Sequence, residues 1–161
     1  MSLVFPNQNK NLKLNIIGAG SEREKLESLT KKLGVEKNVV FHGYQNKSFI
    51  AEILSSSEAF LMCTHHEPFG IPVVEALACG CPVVSTKCGG PEEIHKVVPG
   101  IHLVERDDYE QMTMELENIL NNSASNEERR ELLRGKAIES YGTRNIRLSW
   151  MNMYSELTGC L

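Results

Sequence analysis

The residues AFLMCTHHEPFGIPVVEALACGCPVVST, positions 59–86, hold two strand-like runs on either side of a segment with helix-boundary signals. Residues 59–63 are continuous and apolar, which is typical of a parallel strand buried on both faces, and residues 81–86 are a second candidate for a buried strand. Pro72 suits the first turn of a helix between these runs, and Gly80 suits its C-terminal end. The stretch therefore predicts a strand–helix–strand unit with parallel strands.

The same alternation of strand and helix continues upstream of this unit. Residues 12–18 and 38–43 are short strand candidates, and each precedes a segment with helical spacing of apolar residues. Ser21 and Glu24 have the spacing of a capping box, which predicts the start of the first of these helices.

Downstream, one more strand candidate is followed only by helix candidates. The strand covers residues 101–105, and the helices cover residues 108–121, 126–140 and 144–161. The terminal helix carries an apolar stripe of five residues: Ile146, Trp150, Tyr154, Leu157 and Leu161. Strands that alternate with helices predict an α/β fold, a Rossmann-like parallel sheet with helices on both faces, formed by a single domain over residues 1–161.

Composition excludes several classes of protein. The 161 residues are 41% hydrophobic, 24% charged and 6% aromatic, which are ordinary values for a globular domain. A net charge of −4 without a basic run argues against a nucleic-acid partner. No stretch approaches the ~20 apolar residues of a membrane span, and no signal peptide is recognisable. Five cysteines, an odd number among apolar neighbours, predict reduced, buried thiols in a cytoplasmic protein.

The loop and helix after Cys63 form the candidate functional site. Ligands of parallel sheets bind beyond the carboxyl ends of the strands, where helix N-termini carry free N–H groups and a partial positive charge that suit a phosphate. Gly70 lets a ligand approach the backbone. Glu67 and Glu75 would flank this anion and accept hydrogen bonds from sugar hydroxyls, so the residues suggest a nucleotide sugar. In the alternative interpretation, Glu67 caps the helix electrostatically and Glu75 faces solvent.

The string EPFGIPVVEALACGCPVVSTKCGGPEEI, residues 67–94, resembles the signature of retaining glycosyltransferases of family 4. The family's E-x7-E motif matches Glu67 and Glu75, and the A-x-G-x-P-V-V segment after it matches residues 78–84. A glycine turn followed by glutamate matches residues 89–93. These enzymes have the GT-B fold of two Rossmann-like halves, and the resemblance implies that this chain is the C-terminal, donor-binding half.

The resemblance implies roles for the residues of the candidate site. Glu75 would hold the ribose hydroxyls, and Glu67, the candidate catalytic residue, would contact hydroxyls of the transferred sugar. Backbone amides of Phe69, Gly70 and Ile71 would donate hydrogen bonds to the sugar and the diphosphate. Retention of anomeric configuration implies that the departing diphosphate accepts the acceptor's proton; double displacement through a carboxylate is the older alternative. No metal or other cofactor is expected.

Two upstream segments also resemble donor-binding parts of the family. Gly18 and Gly20 match a glycine turn after a strand, although Arg23 stands where a dinucleotide fingerprint has its third glycine. Tyr44 and Gln45 lie where the family's loop approaches the nucleobase.

The sequence departs from the family in one respect. The donor half normally begins with a strand whose Gly–Arg pair, together with a later lysine, binds the diphosphate. This strand, both cations and the N-terminal acceptor-binding half are all expected to be missing. Residues 12–17 would then pair with residues 59–63 or with another chain, which predicts self-association.

The function implied is hexose transfer from a nucleotide diphosphate sugar to a glycan, lipid or polysaccharide acceptor. The isolated chain is expected to transfer little without the N-terminal half. The alternatives are a non-catalytic nucleotide-binding or interaction module and a nucleotide-sugar epimerase of the same architecture. A cytoplasmic location is implied, with peripheral membrane contact left open for the full-length enzyme.

The histidines have structural interpretations. Adjacent side chains of His65 and His66 point in different directions, which argues against a shared metal ion. His42 and His102 lie in predicted strands and are expected to be structural.

Overall fold

The computed structural model describes residues 12–122 and 126–158. It divides the chain into two compact units, Met1–Glu52 and Ile53–Leu161. Within the described residues, no helix is long and apolar enough to cross a membrane.

The first unit is built around two parallel strands. Its elements are β1 (Leu14–Ile17), α1 (Arg23–Leu33), a 3-10 turn (Glu36–Asn38), β2 (Val39–Gly43) and the first part of α2 (Lys47–Ser56). β1 pairs with β2 in parallel, with Leu14 opposite Val39 and Ile16 opposite Phe41. The Gly18 N–H extends the ladder by donating to the Gly43 carbonyl at 2.8 Å. Both strands therefore end at the same edge of this sheet.

Helix α1 begins later than its capping-box pattern indicates. Its first residue is Arg23, and Glu22 occupies the N-cap position without a side-chain cap, so the predicted box of Ser21 and Glu24 is wrong. The chain needs residues up to Gly20 to turn away from β1, and the Gly20 carbonyl accepts the Arg23 N–H at 3.2 Å. The turn geometry thus decides where the helix starts.

The second unit contains a three-stranded parallel sheet and five helices among the described residues. They are β3 (Phe60–Met62), α3 (Ile71–Ala78), β4 (Val83–Thr86), α4 (Gly90–His95), β5 (Ile101–Val104), α5 (Tyr109–Asn121), α6 (Asn126–Tyr141) and α7 (Thr143–Thr158). The strand order is β3-β4-β5, with Leu61 opposite Val84 and Val84 opposite His102. The strand–helix–strand unit predicted over residues 59–86 is confirmed.

The core of the second unit lies on both faces of β4. Val84 packs in one cluster with Val104 of β5 and with Met112 and Ile119 of α5. Val83 points to the opposite face because side chains alternate along a strand, and α3 also contacts β4. Helices therefore cover both faces of the parallel sheet, as predicted. β4 is fully buried, whereas β3 is only half-buried.

The edge strands of the two sheets do not pair with one another. Within residues 12–122 and 126–158, β1 has β2 as its hydrogen-bonded neighbour and β3 has β4. The predicted direct pairing of residues 12–17 with residues 59–63 is therefore not formed. Pairing of these strands with another chain stays a prediction.

Helix α7 spans Thr143–Thr158, where the sequence predicts a terminal helix over residues 144–161. Residues 159–161, with Leu161 of the apolar stripe, lie outside the described residues. Trp150 and Tyr154 are 54% and 57% exposed, so this face of the stripe is left partly uncovered.

Candidate functional site

The loop that carries Glu67 begins at the carboxyl end of β3 and is anchored to β4 by Thr86. The Thr86 hydroxyl donates to the Thr64 carbonyl at 2.6 Å and accepts the Thr64 N–H at 3.2 Å. Thr86 is buried, so this pair of bonds is shielded from water. The two strand ends are thereby fixed next to each other, where parallel sheets bind ligands.

The backbone of Glu67 is bonded to the turn that follows β4. The Glu67 N–H donates to the Cys88 carbonyl at 2.9 Å, and the Gly90 N–H donates to the Glu67 carbonyl at 2.7 Å. A Cβ atom on Gly90 would lie 2.1 Å from the Phe69 carbonyl oxygen. The glycine turn that the sequence singles out is therefore required by the close approach of residues 67–69.

The Glu67 carboxylate folds back onto its own loop. Its Oε1 accepts the Gly70 N–H at 2.9 Å and the Phe69 N–H at 3.2 Å. Gly70 precedes the first residue of α3 and has φ of 94°, in the left-handed region that favours glycine. In this structure Glu67 thus bonds the two loop amides directly before α3, and these are amides that the resemblance assigns to the ligand.

Glu75 lies one turn inside α3 on the side away from the core. Val73, Ala76 and Leu77 form the buried face of this helix. Glu75 is half-buried and lies four residues after the exposed Ile71, so the two share a face near the helix N-terminus. Among the described residues, no group forms a hydrogen bond or ion pair with the Glu75 carboxylate, which leaves it able to accept bonds from a ligand.

Phe69 is half-exposed and has an aromatic neighbour that the sequence analysis missed. The Phe69 ring meets the Tyr141 ring edge-to-face, with centroids 6.0 Å apart. Burial and the nearby Glu93 charge raise the pKa of Tyr141 above its usual value. No local pattern links Phe69 to the last residue of α6, because the two are far apart in sequence.

Charged residues line the same edge of the sheet but are paired with one another. Lys87, directly after β4, forms an ion pair with Glu105 at the end of β5. Arg106 Nε donates to the Lys87 carbonyl at 2.8 Å. His65 Nε2 lies 3.9 Å from an Asp107 carboxylate oxygen. Within residues 12–122 and 126–158, no group of three or more His, Cys, Asp or Glu side chains is arranged to hold a metal ion.

The two other predicted histidines have the structural partners expected of them. His42 in β2 lies 2.8 Å from the Asn15 side-chain oxygen and packs against the Phe49 ring. His102 in β5 pairs with Glu115 of α5 at 2.7 Å.

Gly18, Gly20, Tyr44 and Gln45 belong to the first unit, at the carboxyl ends of β1 and β2. Gly18 has φ of 131°, and a Cβ atom on either glycine would meet nothing within 4 Å. Tyr44 is 87% exposed, and the Gln45 amide donates to the His42 carbonyl at 2.9 Å. The glycine turn and the expected nucleobase loop therefore lie at one edge of the first sheet, whereas Glu67, Phe69, Gly70, Ile71 and Glu75 all belong to the second unit.

The cysteines are only partly as the sequence predicts. Cys81 is fully buried, and burial raises the pKa of its thiol to about 12. Cys63, in contrast, is exposed at the end of β3, so the prediction that all five thiols are buried is wrong. Cys160 lies outside the described residues.

Comparison with known proteins identifies relatives that are longer than this chain. A family model described as glycosyl transferases group 1 matches residues 1–138. The 2-deoxystreptamine N-acetyl-D-glucosaminyltransferase of Niallia circulans is 27% identical over 144 residues, which are 89% of this chain and 37% of that protein. The N-acetyl-alpha-D-glucosaminyl L-malate synthase of Bacillus anthracis is 38% identical over 82 residues, which are 51% of this chain and 21% of that protein.

A solved structure extends the similarity to the fold. Anabaena Alr3699/HepE in complex with UDP superposes with a TM-score of 0.78 at 21% identity, covering 91% of this chain and 42% of that one. The chain thus spans less than half the length of each of these three proteins. Because the family model matches most of its residues, this chain belongs to the glycosyl transferases group 1.

Proposed function

We propose that this chain is the C-terminal, donor-binding half of a retaining glycosyltransferase of family 4. The enzyme would transfer a hexose from a nucleotide diphosphate sugar to a glycan, lipid or polysaccharide acceptor. The observation that carries this proposal is Glu75, a half-buried carboxylate without a described partner beside the N-terminus of α3. A relative named as an N-acetyl-D-glucosaminyltransferase and a structural neighbour solved with UDP support this class of donor.

The chemistry of the second unit suits a ligand that carries both hydroxyls and phosphates. Glu75 would accept hydrogen bonds from two ribose hydroxyls, since a carboxylate offers two oxygens. The N-terminus of α3 supplies a partial positive charge for the diphosphate. Pro72 has no N–H, so the first turn of α3 has one backbone donor fewer. The Ile71 amide would be part of this anion site.

Glu67 is the proposed catalytic residue because it would touch the transferred sugar. During transfer the bond from the anomeric carbon to the leaving phosphate oxygen breaks, and a bond to the acceptor oxygen forms on the same face. The acceptor's proton passes to the departing diphosphate, so Glu67 would orient the sugar rather than attack it. Double displacement, with a carboxylate as nucleophile, is the alternative.

The proposal extends to the first unit and to parts outside this chain. Gly18 and Gly20 would form the turn beside the donor, and Tyr44 and Gln45 would lie near the nucleobase. An N-terminal half would bind the acceptor, and the first strand of the donor half, with its Gly–Arg pair and the later lysine, would supply the cations for the diphosphate. No metal or other cofactor is required, and the proposed location is the cytoplasm, which the free thiols of the described cysteines support.

Calorimetric titration of the chain with UDP, GDP, ADP and their glucose or mannose conjugates tests this proposal. We expect one nucleotide family to bind and Glu75→Gln to weaken this binding roughly 10- to 100-fold, because charged hydrogen bonds to the ribose are lost. Glu131→Gln, an exposed carboxylate on α6, is the matched control and should bind like wild type. Equal affinities for all three proteins would contradict the assigned role of Glu75.

A non-catalytic nucleotide-binding module is the second candidate. It is favoured by the Glu67 carboxylate, whose Oε1 bonds two amides of its own loop. Mixing the chain with a matching N-terminal half and assaying sugar transfer distinguishes the two candidates. Transfer that is lost in Glu67→Gln supports the enzyme, whereas nucleotide binding without transfer supports the module.

A further inference from the structure

Glu92 holds the turn that follows β4 by a double hydrogen bond. Its Oε2 accepts the Gly89 N–H at 2.7 Å and the Cys88 N–H at 2.9 Å. Partial burial alone would raise the pKa of Glu92, but the bonds from Gly89 and Cys88, its own backbone N–H and the nearby Arg106 outweigh burial and hold the pKa below its usual value. The charged carboxylate is therefore the form that caps this turn.

The turn held by Glu92 is also the part of the fold to which Glu67 is bonded. Cys88 contributes the carbonyl that accepts the Glu67 N–H, and Gly90 contributes the N–H that bonds the Glu67 carbonyl. A Cβ atom on Gly89 would lie 3.0 Å from the same Glu67 carbonyl oxygen. Movement of the turn would therefore be transmitted directly to the Glu67 backbone.

We propose that Glu92 is a positioning residue, whose carboxylate fixes residues 88–90 and through them sets the place of Glu67 in the site. The effect of Glu92 on donor binding rests on the proposed function, whereas its effect on the position of the Glu67 backbone does not. The family signature does not mark this residue, because the glutamate of its glycine turn matches Glu93. Glu93 is exposed and pairs instead with Lys96 at 2.7 Å.

Amide hydrogen exchange measured by NMR on the ligand-free chain tests the geometric part. In Glu92→Gln we expect the Glu67 and Gly90 amides to exchange about tenfold faster, because charged hydrogen bonds are replaced by neutral ones. The Val83 amide, which bonds the Gly100 carbonyl, should keep its rate, which separates a local effect from general destabilisation. Glu139→Gln is the matched control, since Glu139 is a helix carboxylate with a lowered pKa whose partner is Lys136.

Unchanged exchange of the Glu67 and Gly90 amides in Glu92→Gln would overturn the proposal, and so would equal acceleration at Val83. A measurement on the wild-type chain needs no variant: the Gly89 amide shift should follow the titration of the Glu92 carboxyl, with a midpoint below that of an ordinary glutamate. A Gly89 amide chemical shift that does not change as the Glu92 carboxyl titrates would also overturn the proposal.

UDP-glucose binding by calorimetry then tests the functional consequence. We expect the Kd to rise about tenfold in Glu92→Gln and to stay at the wild-type value in Glu139→Gln. If the wild-type chain binds no nucleotide, the proposed function loses its support, while the exchange experiment still decides whether Glu92 positions Glu67.

Discussion

Replacing Gly90 by alanine places a methyl group where the backbone of the Glu67 loop now lies. The new Cβ atom would be 2.1 Å from the Phe69 carbonyl oxygen and 2.2 Å from its carbon. Backbone atoms cannot rotate away as a flexible side chain can, so the loop must retreat by about 1 Å to reach an ordinary contact. This movement weakens the bond from Gly90 N–H to the Glu67 carbonyl. Alanine favours helix by about 0.5–1 kcal/mol, which offsets part of the overpacking cost of about 1–3 kcal/mol or more.

We therefore expect Gly90→Ala to lower the free energy of unfolding by about 2 kcal/mol, measured by urea denaturation. Gly135→Ala is the matched control, because Gly135 lies inside α6 and a Cβ atom there meets nothing within 4 Å. This variant should gain about 0.5–1 kcal/mol. Because the clash displaces the Glu67 loop, Gly90→Ala should also weaken any donor binding. A Gly90→Ala chain as stable as wild type would refute the close approach of the loop.

Two further predictions concern buried groups of the second unit. Thr86→Val should lower the free energy of unfolding by about 1–3 kcal/mol in the same assay, because it leaves the Thr64 carbonyl and N–H without their partner. The control Thr113→Val loses only a bond to its own helix and should lower it less. Equal losses in the two variants would contradict the anchoring role of Thr86. In the folded chain at pH 8, iodoacetamide should label the exposed Cys63 and spare Cys81, because the Cys81 thiol is buried and burial raises its pKa to about 12. Both cysteines should react in urea. Labelling of Cys81 in the folded chain, detected by mass spectrometry, would contradict its burial.

The parts of the fold that the sequence predicts well are those whose signals are local. The adjacent Val83 and Val84 within residues 81–86 are sufficient to predict β4, because a strand covered on both faces needs no alternation of apolar and polar residues. Pro72 predicts the start of α3, because proline acts on the backbone of its own residue. The site loop could therefore be located without any knowledge of the tertiary structure.

The contacts that were missed join residues that are distant in the chain. Tyr141 reaches Phe69 only because α6 packs against α3. The close approach of α6 is visible at Gly80, where a Cβ atom would lie 2.9 Å from the Arg130 backbone. The predicted cap at Ser21 is wrong for a related reason. The capping-box pattern is local, but the turn after β1 determines that Glu22 occupies the N-cap position.

The hydrogen bonds of Glu67 to its own loop bear on which part of a donor would lie beside it. Its Oε1 already accepts the Phe69 and Gly70 amides, and a phosphate placed against this carboxylate would meet like charge. A sugar hydroxyl faces no such conflict, because it donates its proton to the free carboxylate oxygen and its own oxygen remains an acceptor. The hexose rather than the diphosphate is therefore the part expected next to Glu67. The diphosphate would then lie nearer the N-terminus of α3, between the sugar at Glu67 and a ribose at Glu75, which is the order in which these groups are joined in a nucleotide sugar.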